Sequence, residues 1–79
     1  MGEFYKPSSY RAFKRFLKKK GFVIRESGGH MIATLPGNEA MELAIPRHKT
    51  LSNGLTESQC KKLVELGFEK AEIKRAILR

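Results

Sequence analysis

The sequence contains little cysteine, few acidic residues and no long apolar stretch. It has one cysteine, Cys60, among 79 residues, which excludes disulfide bonds within the chain. No run approaches the about 18 consecutive apolar residues of a membrane-spanning helix, and residues 1–7 lack the basic-then-apolar pattern of a secretory signal. A single free thiol is typical of a reducing compartment. We therefore expect a cytoplasmic protein with no membrane-spanning segment.

A chain of 79 residues suffices for one small domain and is too short for two. A domain of this size buries only about 60% of the surface of its unfolded chain, so its core is small. The helical and strand-like patterns begin near residue 8. We predict a single domain over residues 8–79, preceded by an N-terminal extension over residues 1–7.

Basic residues outnumber acidic residues by 16 to 8, and the excess is unevenly distributed. Residues 1–30 contain eight basic and two acidic residues, residues 31–46 contain none and two, and residues 47–79 contain eight and four. Positive segments therefore flank a weakly acidic centre, a pattern that favours binding to a polyanion such as a nucleic acid. The alternative is a solvated basic face that only keeps the domain soluble, and the run over residues 18–20 fits it equally well.

The first helix is predicted between a serine cap and a glycine stop. Ser8 or Ser9 caps a helix that runs to Lys20, along which apolar residues recur at helical spacing. Gly21 ends this helix in a Schellman-type turn, in which Phe22 packs against the last helical turn.

Two further helices are predicted in the C-terminal part of the chain. A capping box over residues 56–59, with Leu55 and Cys60 placed as a hydrophobic staple, begins the second helix. Gly67 ends it by the same glycine turn, and residues 69–79 form a short third helix. Cys60 is thereby assigned to packing rather than chemistry, because no histidine lies near it in the sequence.

Three short strands are predicted between the two glycine stops, over residues 22–25, 30–35 and 41–45. Gly28-Gly29 forms the turn between the first two strands. Alternation directs one set of apolar side chains toward a helical layer: Met31, Ala33, Leu35, Met41, Leu43 and Ile45. His30 then lies on the opposite, uncovered face of the sheet.

The order of elements predicts an α+β fold with the helices on one face of a three-stranded antiparallel sheet. This is the α-β-β-β-α arrangement of double-stranded-RNA-binding domains, followed by a short C-terminal helix. The Gly28-Gly29 turn brings backbone amides and the His30 imidazole close to any bound anion, and the segment Pro46-Arg47-His48-Lys49 supplies positive charge for phosphates. Together these features predict a protein that carries out a reaction on RNA.

The motifs resemble those of the HicA-type toxins of bacterial and archaeal toxin–antitoxin pairs. The resemblance covers residues 9–68 and consists of Lys20-Gly21-Phe22, the glycine turn into His30, Ile45-Pro46-Arg47-His48-Lys49 and Asn53-Gly54-Leu55 before a helix. It implies an endoribonuclease that cleaves messenger RNA, with His30 in the catalytic position, silenced by a HicB-type antitoxin that covers the site. The family usually has serine where this chain has Gly29, and often a second histidine where it has Met31. Gly29 can offer a phosphate only its backbone amide.

RNA cleavage of this kind needs no metal and no cofactor, because the 2′-hydroxyl of RNA is the nucleophile. His30 is the candidate base or acid, and His48 is the candidate second proton carrier. The predicted RNA-binding residues are Arg25, Gly28, Gly29, Arg47, His48 and Lys49. A metal site is not expected, because the two histidines have no partners at ligand spacing. For residues 47–49 the alternative is a solvated basic loop whose turn Pro46 shapes.

Two other classes of function fit the same sequence. One is a non-catalytic RNA-binding module that has the fold and the basic face but does not cleave. The other is a protein-interaction domain whose basic helix faces meet an acidic partner. Incubation with single-stranded RNA distinguishes the three classes, because they predict cleavage, binding alone, and neither.

Overall fold

Three helices and three strands follow one another in residues 2–78, the part of the chain that the computed structural model describes. They are α1 (Tyr10–Lys19), β1 (Val23–Ser27), β2 (His30–Thr34), β3 (Leu43–Pro46), α2 (Asn53–Glu65) and α3 (Lys70–Ile77). The chain is thus a small α+β fold with a three-stranded antiparallel sheet. The order of elements predicted from the sequence is confirmed.

The two ends of α1 have the predicted chemistry. Ser9 is the N-cap, and its hydroxyl accepts a hydrogen bond of 3.1 Å from the amide of Ala12. At the other end Gly21 adopts a φ of +87°, which only glycine reaches without strain. The amide of Phe22 then donates to the carbonyl of Leu17 at 3.0 Å, the bond that defines a Schellman ending. Gly67 ends α2 by the same turn, with a φ of +103°.

The predicted start of α2 is wrong. The helix begins at Asn53 rather than after Thr56, and its N-cap is Ser52, whose hydroxyl accepts from the amide of Leu55 at 3.3 Å. Thr56 is fully buried in the first part of the helix, where its hydroxyl donates to the carbonyl of Ser52 at 2.8 Å and lies 2.7 Å from that of Ser8. The capping-box pattern was misleading because a serine one turn earlier already caps the helix, which leaves Thr56 for a tertiary contact.

The sheet has the order β1-β2-β3, with both pairs antiparallel. Gly28 and Gly29 form a two-residue hairpin loop with φ values of +52° and +84°, as a type I′ turn requires. Four side chains of β2 and β3 are fully buried on one face: Met31, Ala33, Leu43 and Ile45. This confirms the predicted alternation at these four positions and fixes which face of the sheet the core occupies. The other two predicted members, Leu35 and Met41, lie outside the strands and are half-buried.

All three helices contribute to the layer over that buried face. α1 and α2 contact β3, and α3 packs against both α1 and α2. The rings of Phe16 and Phe68 meet edge to face, with 5.8 Å between their centroids. None of these helices, over residues 2–78, is long and apolar enough to cross a lipid bilayer.

The N-terminal segment, predicted as an extension over residues 1–7, packs against the domain over its described part. Phe4 is 3% exposed and belongs to the core. Glu3 forms ion pairs with Lys70 at 3.0 Å and Lys74 at 2.6 Å, both on α3. The hydrogen bond from Lys74, and then that from Lys70, holds the pKa of Glu3 below its usual range. The described part of the segment therefore packs against the core and α3 and does not extend into solvent.

Candidate nucleic-acid interface

His30 lies at the start of β2, immediately after the glycine turn, and is exposed. Its backbone is paired with Ser27 of β1 and with Pro46 of β3, so it occupies the central strand. Met31, the next residue, is fully buried against the helical layer. Because successive side chains of a strand point to opposite faces, the His30 imidazole lies on the open face of the sheet.

Arg25 is on the same open face as His30. It is paired with Ile32, which is two residues from His30 along β2 and therefore on the same side of the sheet. The Arg25 guanidinium lies 3.4 Å from the Glu42 carboxylate, and both side chains are at least half exposed. The open face thus presents an imidazole and a guanidinium on neighbouring strands.

The glycine turn is joined to the basic segment after β3 by a backbone hydrogen bond. The amide of Arg47 donates to the carbonyl of Gly29 at 3.0 Å. These two residues are eighteen positions apart in the sequence, and the pairing of β2 with β3 makes them neighbours. The segment 47–49 therefore begins beside the turn that presents His30.

The Arg47 side chain lies on the helical side of the sheet. It is 3.5 Å from Glu26, which is paired with the buried Met31, and 5.9 Å from the centre of the Tyr10 ring. The hydroxyl of Tyr10 in turn donates to Glu26 at 3.3 Å. Arg47 is thus held by an acid and an aromatic face together.

A groove of about 640 Å³ lies between the start of α1 and the segment after β3. It is lined by Ser9, Tyr10, Arg11, Arg47, His48, Lys49 and Thr50. The structure therefore brings three of the predicted RNA-binding residues together in one groove. His30 and Arg25 lie on the opposite face of the sheet, so the predicted site is divided in two, with the Gly29–Arg47 hydrogen bond between its halves.

Tyr10, Arg11 and Glu26 belong to this region but were not predicted as site residues. Tyr10 was assigned to the apolar stripe of the first helix, where it is indeed half-buried. Arg11 belongs to the basic face of that helix. Its position beside residues 47–49 depends on the orientation of α1 relative to the sheet. No local pattern in the sequence predicts that orientation.

Metal-ligating side chains do not cluster in the described part of the chain. No group of three or more His, Cys, Asp or Glu residues within residues 2–78 is placed to hold a metal ion.

Cys60 is fully buried in α2, which confirms its assignment to packing. Burial raises the pKa of its thiol to about 12. Since the thiolate is the reactive form, we expect a maleimide or iodoacetamide reagent to leave native protein unmodified near neutral pH and to label it fully in denaturant. Mass spectrometry of the two samples measures this. Rapid labelling of the native protein would contradict the buried placement of the thiol.

No family model, curated protein or solved structure matches this chain.

Proposed function

We propose that this chain is an endoribonuclease of the HicA type that cleaves messenger RNA without a metal ion, with His30 as its proton-transfer group. The observation that carries the proposal is the position of His30. It is exposed on the central strand, directly after a glycine turn, and the carbonyl of Gly29 is bonded to the first residue of the basic segment 47–49.

The arrangement of elements supports the same proposal. A helix, three antiparallel strands and a helix follow in order, and one face of the sheet packs against the helices. We propose that this is the arrangement of double-stranded-RNA-binding domains, with α3 added at the C-terminal end. The motifs that resemble the HicA-type toxins lie at the end of α1, at the turn into His30, at the end of β3 with the segment after it, and at the start of α2.

The chemistry needs few groups because RNA supplies its own nucleophile. In the proposed reaction His30 takes the proton of a 2′-hydroxyl, whose oxygen then forms a bond to the adjacent phosphorus. The bond from phosphorus to the 5′-oxygen breaks, and that oxygen takes a proton from a water molecule, which takes in turn the proton that His30 had accepted. This leaves a cyclic phosphate on one fragment and a hydroxyl on the other. Arg25, on the same face as His30, stabilises the added charge on the phosphate.

We propose that a HicB-type antitoxin is the protein partner and that it silences the chain by covering the open face around His30. Such a partner needs acidic groups to match Arg25 on that face. The cytoplasm, where messenger RNA is translated, is the proposed place of action.

A non-catalytic RNA-binding module is the second candidate, and one observation favours it. The groove that contains Arg47, His48 and Lys49 is on the helical side of the sheet, whereas His30 is on the open face. A protein that only binds RNA needs no imidazole in its groove. In that case the purified chain would bind single-stranded RNA and leave it uncleaved.

Matched RNA and DNA substrates test the proposed reaction. We expect the purified chain to cleave a single-stranded RNA and to leave DNA of the same sequence intact, because DNA has no 2′-hydroxyl. Addition of a chelator should not slow the cleavage. The fragments are separated on a denaturing gel, and the end groups are identified by mass spectrometry. Cleavage of DNA, or loss of RNA cleavage with the chelator, would refute this mechanism.

A further inference from the structure

Three grooves adjoin one another along one side of α1. The first, described above, shares Ser9, Lys49 and Thr50 with a second groove of about 510 Å³. The second shares Ala12, Arg15 and Ala76 with a third of about 260 Å³, which lies between α1 and α3. The shared residues place the three grooves next to one another in a row along α1, and we name this furrow the α1 track.

Positive charge lines the α1 track over its whole length. Seven basic residues contribute to it: Arg11, Arg15, Lys19, Lys20, Arg47, Lys49 and Arg75. Among the described residues that line it, Glu72 is the one acid. Lys20 donates a hydrogen bond to Glu72, and this bond is the main reason that the pKa of Glu72 is lowered. The one negative charge in the track is therefore already compensated.

Five of these seven cations form no ion pair within residues 2–78, although Lys19 and Arg75 lie close enough to Glu72 to contribute to its lowered pKa. Arg47 is paired with Glu26, and Lys20 is paired with Glu72. The other five basic residues of the track form no ion pair in the described part of the chain. α1 itself contains no acidic residue. An array of uncompensated cations along a furrow destabilises the isolated domain by mutual repulsion, and a bound polyanion relieves it.

We propose that the α1 track binds the phosphate backbone of a single strand of RNA, in addition to and outside the place where His30 acts. Cations from α1 form one wall of the furrow, and cations from the loop after β3 and from α3 form the other, so one backbone strand is enclosed between them. The proposal rests on the proposed function for its choice of RNA. The charge and shape of the furrow do not depend on whether the chain cleaves RNA.

The length of the track sets how much RNA it holds. A helix of ten residues is about 15 Å long. A stacked nucleic-acid strand carries one phosphate per about 3.4 Å, so the track covers about four phosphates. A substrate that also reaches His30 must pass from the track around the edge of the sheet, and a fragment of only two or three nucleotides is too short to occupy both.

Charge reversal in the middle of the track tests the proposal. Arg15 is exposed and lines both the second and third grooves. Lys61 is an exposed residue of α2 that lines a separate pocket near the N-terminal segment. Arg15→Glu and Lys61→Glu change the net charge equally, so a difference between the two variants reports position rather than total charge. Circular dichroism checks that both variants are folded.

The probe is a fluorescent single-stranded 2′-O-methyl RNA, which cannot be cleaved through its 2′-oxygen. We expect Arg15→Glu to weaken binding by about tenfold, because it removes a charge-assisted hydrogen bond and adds a repulsion. The slope of log Kd against log salt should fall by about 0.7 for each phosphate that the variant no longer neutralises. Lys61→Glu should change neither quantity by as much.

Each outcome bears on the proposal in a defined way. If Arg15→Glu and Lys61→Glu weaken binding equally, the track is not the binding surface, although binding of RNA itself stands. If the unmodified chain fails to bind the probe at low salt, the track proposal is wrong. If the chain binds through Arg15 but never cleaves RNA, the track is supported and the endoribonuclease is refuted.

Discussion

Replacement of His30 by alanine is expected to reduce RNA cleavage by about 10²–10⁴-fold, the contribution of a positioned proton-transfer group. The imidazole is exposed at the start of β2, and its removal leaves no void in the core. The fold should therefore persist. Binding of the uncleavable RNA should also persist, because the α1 track lies on the helical side of the sheet and His30 on the other.

Single-turnover cleavage rates of the two proteins on one labelled RNA measure this effect. Thr34→Ala is the matched control, because Thr34 is on the same strand and the same face as His30, at the other end. The control should cleave at close to the original rate. If the His30→Ala protein cleaves RNA as fast as the original chain, His30 is not the catalyst and the activity has another origin.

Replacement of Phe4 by alanine is expected to lower the free energy of unfolding by about 3–5 kcal/mol, the usual cost of truncating a buried phenylalanine. Phe4 is 3% exposed, and the Lys74 ammonium lies 5.8 Å from the centre of its ring. The change removes a core side chain and also loosens the segment that Glu3 connects to α3. A small domain has a total stability of only about 5–15 kcal/mol, so much of the margin is lost.

Thermal unfolding followed by circular dichroism measures the loss, which should lower Tm by more than about 10 °C. Tyr5→Ala provides the comparison, since Tyr5 is adjacent, aromatic and 39% exposed. That variant should unfold close to the original temperature. Equal stability of the Phe4→Ala protein and the original would show that the Phe4 side chain contributes nothing to the core.

The local features of this fold were predictable because they depend on neighbouring residues. A serine cap and the stops at Gly21 and Gly67 are local chemistry, and each was predicted correctly, although the sequence left Ser8 and Ser9 both open as the cap. The alternation that buries Met31 and exposes His30 needs only the pleat of a strand. These positions determine where the helices end and which face of the sheet carries the imidazole.

The start of α2 shows where local chemistry was insufficient. Both Ser52 and Thr56 can cap a helix. The sequence alone favours Thr56, because Gln59 three residues later completes a capping box. In the structure Ser52 caps the helix, and Thr56 is buried with its hydroxyl 2.7 Å from that of Ser8, which is 48 residues away. A contact between residues so far apart along the chain cannot be predicted from a short stretch of sequence.

The sequence by itself determined the order of helices and strands, the glycine turns, the face on which His30 stands and the excess of positive charge. Tertiary structure decided that Phe4 enters the core, that Arg47 faces Tyr10 and Glu26, and that three grooves join along α1. The reason is physical: caps, turns and alternation are set by residues a few positions apart. The placement of charges on a common surface depends instead on how α1, α3 and the sheet pack together.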